Sequence, residues 1–229
     1  MMVQKWPGFG MLVILLGLIC VSAGPALGEE PSALEKDPQG WTDLLASAGP
    51  ELDGWTRQSI PYGEPLQKRS PWSLEATDGR LVCRGDGGHE WLRLDQVLSD
   101  FILHVEWRFE PVPGKQGYNS GVFVRTSTDA RTWHQAQCGD ASGGYFFGET
   151  LQNYALTPFD RKQEIREQRV KPAGEWNTYE ITCKGRTLTL WVNGAVVDIW
   201  KGCQVPRGYV GLEAEGWPIE FRNIKIKTF

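Results

Sequence analysis

Ten consecutive residues, Phe101-Ile102-Leu103-His104-Val105-Glu106-Trp107-Arg108-Phe109-Glu110, are apolar at every odd position and polar or charged at four of the five even ones. In an extended chain alternate side chains point to opposite faces, so this pattern reads as a long strand with one face buried. Similar patterns recur. Val122 to Arg125 reads as a further strand, and Tyr179 to Lys184 and Thr187 to Val192 flank Gly185-Arg186 as a hairpin. Asn193-Gly194 then turns the chain into Ala195 to Trp200, because both residue types tolerate positive φ. Tyr209 to Glu215 and Ile219 to Phe229 complete the set, and a change of apolar parity between Phe221 and Ile224 predicts a β-bulge.

No segment keeps helical periodicity over three turns, and Asp160 to Val170 is a charge-rich surface turn or loop. The fold class is therefore all-β, a two-sheet sandwich. The stretch from Gly139 to Gly174 is long for a connection, and long loops on sandwiches often serve as functional lids. There are no internal repeats. Composition agrees, since 27 Gly and 11 Trp among 229 residues suit turn-rich β-structure with aromatic platforms. With 23% charged and 41% hydrophobic residues the chain is neither disordered nor multispanning, and a net charge of −4 gives no support to a nucleic-acid partner.

Residues 1–28 read as a signal peptide: Lys5, an apolar run from Met11 to Val21, and a small-residue exit at Ala26-Leu27-Gly28. The run is short for a bilayer span, and bulky Ile19 precedes Cys20 where a lipidation site needs a small residue. The expectation is a secreted or periplasmic protein without stable membrane insertion after cleavage. Its net charge would be −5, since Lys5 is the only charge removed. Residues 29–39 read as a linker and 40–229 as a single domain. Cys83, Cys138, Cys183 and Cys203 then allow three pairings, or one bridge, or buried free thiols. No Cys/His spacing suits structural zinc.

Common catalytic signatures are missing: no H-E-x-x-H, no P-loop, no G-x-S-x-G and no carboxylate ladder of the jelly-roll glucanase type. Glu213 and Glu215, at i and i+2, stand out. On a strand they share a face, which suits general acid/base work or a hard divalent cation; the alternative is a solvated outer face. Gln135 and Gln137 have the same spacing. Arg125 ends an apolar strand and is read as a cation for a sugar oxygen or enolate, or else as half of an ion pair. His134 reads as a packing residue or an acid/base group, His104 as exposed on its strand, and His89 as a bland turn residue. Trp91, Trp133 and Trp217 lie near turns or polar candidates and could stack on sugar rings.

These residues resemble a known family. Gly40-Trp41-Thr42-Asp43-Leu44-Leu45, Leu52-Asp53-Gly54-Trp55, Asn119-Ser120-Gly121-Val122-Phe123-Val124-Arg125, Gly174-Glu175-Trp176-Asn177 and Phe221-Arg222-Asn223-Ile224 are similar to the 3-keto-disaccharide hydrolase domain, over essentially all of 40–229. The resemblance implies a concanavalin A-like jelly roll acting on glycosides whose C3 hydroxyl has been oxidised. It further implies Glu213 or Glu215 as base or ligand of a divalent metal, with Gln135, Gln137, Asn119 and Arg125 holding sugar oxygens. Trp133, His134, Tyr145 and Trp217 would contact a carbohydrate substrate. The chain departs from the family where Gln135-Ala136-Gln137 replaces Glu-x-Gln, Glu213-Ala214-Glu215 replaces Gln-x-His, and Phe147 replaces a Tyr. These departures motivate the alternative of a non-catalytic carbohydrate-binding sandwich.

Overall fold

A computed structural model describes residues 29–229; the signal-peptide reading and Cys20 lie outside them. The strands are β1 (Thr42–Asp43), β2 (Trp55–Ser59), β3 (Trp72–Leu74), β4 (Leu81–Cys83), β5 (Glu90–Leu94), β6 (Phe101–Phe109), β7 (Asn119–Thr126) and β8 (Trp133–Gly139). They continue as β9 (Gly143–Gln152), β10 (Ala155–Asp160), β11 (Asn177–Lys184), β12 (Thr187–Val192), β13 (Ala195–Trp200), β14 (Tyr209–Ala214) and β15 (Ile219–Thr228). One sheet has the order β13-β12-β11-β6-β15-β4-β3, with β1 also on β15; the other runs β10-β9-β8-β7-β14-β5-β2. Every pairing is antiparallel, and the two sheets form a jelly-roll sandwich of the concanavalin A type.

Alternation builds the core. Phe101, Leu103, Val105, Trp107 and Phe109 of β6 point inward and meet Tyr179 and Ile181 of β11 and Phe221 of β15. The facing sheet contributes Val122, Val124, Ala136, Phe146 and Leu212. Asn193 and Gly194 adopt φ of 43° and 101°, as the tight hairpin requires. The bulge in β15 falls between Arg222 and Lys225, where Asn223 takes φ 49° and donates to the Glu106 carboxylate at 2.7 Å.

Three expectations change. The Gly139–Gly174 stretch is no lid: it holds the whole β9–β10 hairpin, turned at Asn153-Tyr154, and a short 3-10 turn at Lys162–Glu164. Glycines and the adjacent Phe146-Phe147 pair blur the period of β9, while Pro158 sits on β10, an edge strand that can spare an N–H. The segment read as a linker contains helix α1 (Ala33–Lys36), closed by a reciprocal Ser32–Glu35 capping box. His104 is buried, with Nδ1 2.9 Å from Glu180. Glu180 also accepts from the Ala33 and Leu34 amides at 2.5 and 3.0 Å, which fastens α1 to the outer face of the first sheet. Cys83, Cys138, Cys183 and Cys203 are all free and buried, so among the described residues no disulfide staples the fold. No described helix is long and apolar enough to cross a membrane.

Candidate active site

The outer face of the second sheet carries the chemistry. Leu212 and Ala214 of β14 face the core, so Glu213 between them points outward, directly across from Trp91 of β5. On the neighbouring strands Gly211 pairs with Phe123, Phe123 with Gln135, and Gln135 with Phe147. Asn119, Gly121, Gln137 and Tyr145 share that face by alternation.

Two glycines shape it. A Cβ at Gly121 would lie 2.0–2.3 Å from Gln135, whose side chain crosses over β7 at this point to reach β14. A Cβ at Gly211 would lie 2.3 Å from the Trp91 ring. The clearance lets side chains from β5 and β8 converge on Glu213.

Glu213 is only 4% exposed. Gln135 Nε2 donates to one of its oxygens at 2.7 Å, and His89 Nε2 lies 2.9 Å from the other. Asn119 donates to Glu215, Gln137 Nε2 donates to Asn119 Oδ1 at 2.6 Å, and Gln135 Nε2 also reaches Gln137 Oε1 at 3.3 Å. A connected polar network thus runs from the bend before β5 through β14 and the turn after it to β7 and β8. Burial and the nearby Glu213 charge raise the Glu215 pKa. The hydrogen bond that His89 donates to Glu213 raises the His89 pKa, with burial pulling the other way. A carboxylate biased toward accepting a proton therefore lies beside an imidazole biased toward keeping one.

His89, Glu213 and Glu215 each offer a ligand atom, all within 4.8 Å of one another. One imidazole nitrogen and two carboxylates make a donor set that fits a divalent cation. Beside the network lies a small, partly open hollow, bounded by Ile60, Trp91, Phe123, Ala130 and Trp133.

Of the residues singled out in the sequence, Asn119, Gln135, Gln137, Glu213 and Glu215 come together; Trp133 lines the hollow, and Tyr145 stands further out with its ring 5.9 Å from Phe147. Arg125 does not join them. It is wholly buried, donating to the Ser99, Gly185 and Val205 carbonyls and pairing with Asp100 at 2.8 Å. Its φ of 46° lies where the β7–β14 register shifts, and the irregularity takes it out of the strand's alternation. His134 is also elsewhere: it points inward, with Nε2 2.9 Å from Thr150 Oγ1, and burial lowers its pKa to about 4. Trp217 packs on Tyr118 at 4.5 Å and does not line the hollow.

His89 is the residue that sequence reasoning passed over. It lies on the bend just before β5, and its place beside Glu213 becomes visible only when β5 is paired with β14. Ile60 and Ala130 lie on connections and carried no chemical signal.

The 3-keto-alpha-glucoside-1,2-lyase-like domain matches residues 40–227. The chain belongs to that family. A comparison with curated proteins gives no match. Among solved structures, a glycosyl hydrolase candidate from Parabacteroides distasonis is similar with TM-score 0.59 at 18% identity, covering 88% of this chain and 99% of that one. A carbohydrate-binding module from Bacillus subtilis gives 0.53 at 15% identity, over 76% and 96%. A LamA variant from Zobellia galactanivorans, in complex with laminaritriose and laminaritetraose, gives 0.54 at 12% over 78% and 92%. At these identities the likeness is one of fold, shared by hydrolase-like and binding proteins alike.

Proposed function

We propose that this domain acts on carbohydrates and cleaves the glycosidic bond of 3-keto-glycosides by elimination, followed by hydration. The observation that carries this reading is the single hydrogen-bonded cluster of His89, Asn119, Gln135, Gln137, Glu213 and Glu215. A C3 ketone acidifies the C2 proton. Glu215 is the base that takes it, and the C–H electrons become the C2–C3 enolate. The enolate collapses to a C1–C2 double bond, the C1–O bond breaks, and His89 gives its proton to the departing oxygen. Water adding across that double bond restores the 3-keto sugar, making the net reaction a hydrolysis. Glu213 orients His89 and Gln135, while Asn119 and Gln137 hold sugar oxygens.

Alternatively, His89, Glu213 and Glu215 would hold a divalent cation, which when bound would supply Lewis-acid polarisation of the ketone; a residue ligating it would then not serve as acid or base. Release of free sugar from 3-keto-glycosides with alkyl, aryl and sugar aglycones, with and without chelator, tests both statements. Glu215→Gln is expected to lower kcat by about 10²–10⁴-fold, the usual contribution of a general base. Absence of turnover in any metal condition overturns the enzymatic reading. Glycan binding that persists unchanged in Glu213→Gln and Glu215→Gln would favour the binding-module alternative.

A further inference from the structure

The site face changes character along the strands. Level with the start of β7 stand Asn119, Gln137 and Glu215, all polar and joined through Asn119. Toward the end of β7 the face passes through Phe123 to the hollow, walled by Ile60, Ala130 and the ring of Trp133. Phe123 meets Trp91 edge-on at 5.5 Å and 68°, and Trp133 at 6.2 Å and 77°. His89, Gln135 and Glu213 lie at the boundary and line the hollow, whereas Glu215 does not.

A second sugar would suit this hollow poorly. A pyranose carries hydroxyls around its rim, and each one buried without a partner loses its hydration uncompensated. Gln135 and Glu213 are already bonded to each other, and Thr126 Oγ1 is aimed at the Val124 carbonyl. A flat apolar ring needs no such partners and gains edge-to-face contacts. We infer that the hollow is the subsite of an aromatic aglycone, with the sugar ring on the Asn119–Gln137–Glu215 side and the scissile oxygen beside His89. This inference rests on the proposed reading for which bond breaks, but its binding component is separable.

Benzyl and methyl 3-keto-glucosides carry the same sugar, and their alcohols leave with similar ease, so a difference between them reports the aglycone site. Calorimetric titration of the Glu215→Gln protein, which lacks the base and leaves the lining of the hollow unchanged, is expected to show benzyl binding at least ~10-fold tighter, as burial of an aryl ring in an apolar pocket provides. Adding Trp133→Ala, or Ile60→Ser should the first variant melt abnormally, is expected to bring the two affinities within about threefold. Equal affinities at the start, or a benzyl preference untouched by both substitutions in folded protein, would overturn the assignment. Wild-type turnover is assayed separately: a protein that binds the benzyl compound preferentially yet cleaves neither keeps the aryl subsite and loses the hydrolase reading.

Discussion

A methyl group at position 121 would occupy the space through which Gln135 reaches Glu213, so Gly121→Ala is expected to displace that amide and leave Glu213 short of a donor. With 3-keto-glycoside as substrate, kcat/KM should fall by at least about tenfold. The sandwich should stay folded by circular dichroism, since the obstruction is a side chain on the solvent face. Arg125 makes the opposite prediction. Arg125→Met removes the donor to three carbonyls and the partner of Asp100, and is expected to cost on the order of 3 kcal/mol in a urea titration. A stability change without any change in substrate KM would match its place in the core. The side-by-side glutamines and glutamates were legible from spacing alone. Once Gln135 and Gln137 face outward, strict alternation already turns His134 inward, whereas the bulge that removes Arg125 leaves no trace in the residue types.

Elements with an uninterrupted period and a chemically defined turn were readable: β6 from its apolar odd positions, β12–β13 from Asn193-Gly194, and the β15 bulge from its change of parity. The β9–β10 hairpin was not, because glycines and an edge proline replace the regular alternation there. Helix α1 escaped notice because one turn has no periodicity, and its anchor, Glu180, is 147 residues distant from Ala33. That anchorage involves a titrating group. In the folded protein burial pulls the His104 pKa down, but the carboxylates of Glu106, 3.9 Å away, and Glu180, hydrogen-bonded at 2.9 Å, dominate and raise it above 6.5. A raised pKa means that the folded state holds its proton more tightly than the unfolded chain. The resulting stabilisation is complete below about pH 6.5 and disappears as pH climbs through the folded value. Thermal melting should thus weaken with rising pH above neutrality more steeply in the wild type than in His104→Gln.

At the scale of the whole molecule, cohesion comes from one continuous core between the sheets, and the thiols belong to it as small apolar groups. Burial pushes the Cys83 thiol up to about 11 and raises those of Cys138 and Cys183 as well. Native protein beginning at residue 29 is therefore expected to resist iodoacetamide, and to take up four labels by mass spectrometry only after denaturation. The two outward faces divide the labour. One bears the Glu106–Arg222 and Arg108–Glu220 ion pairs, with both arginines stacked on Trp176; the other bears the hollow. Because Glu180 clasps α1 and Glu30 donates to the Gly194 carbonyl, residue 29 departs from the back of the molecule. Any leader, lipid or immobilising bead joined upstream would accordingly leave the mouth of the cleft turned toward open solvent.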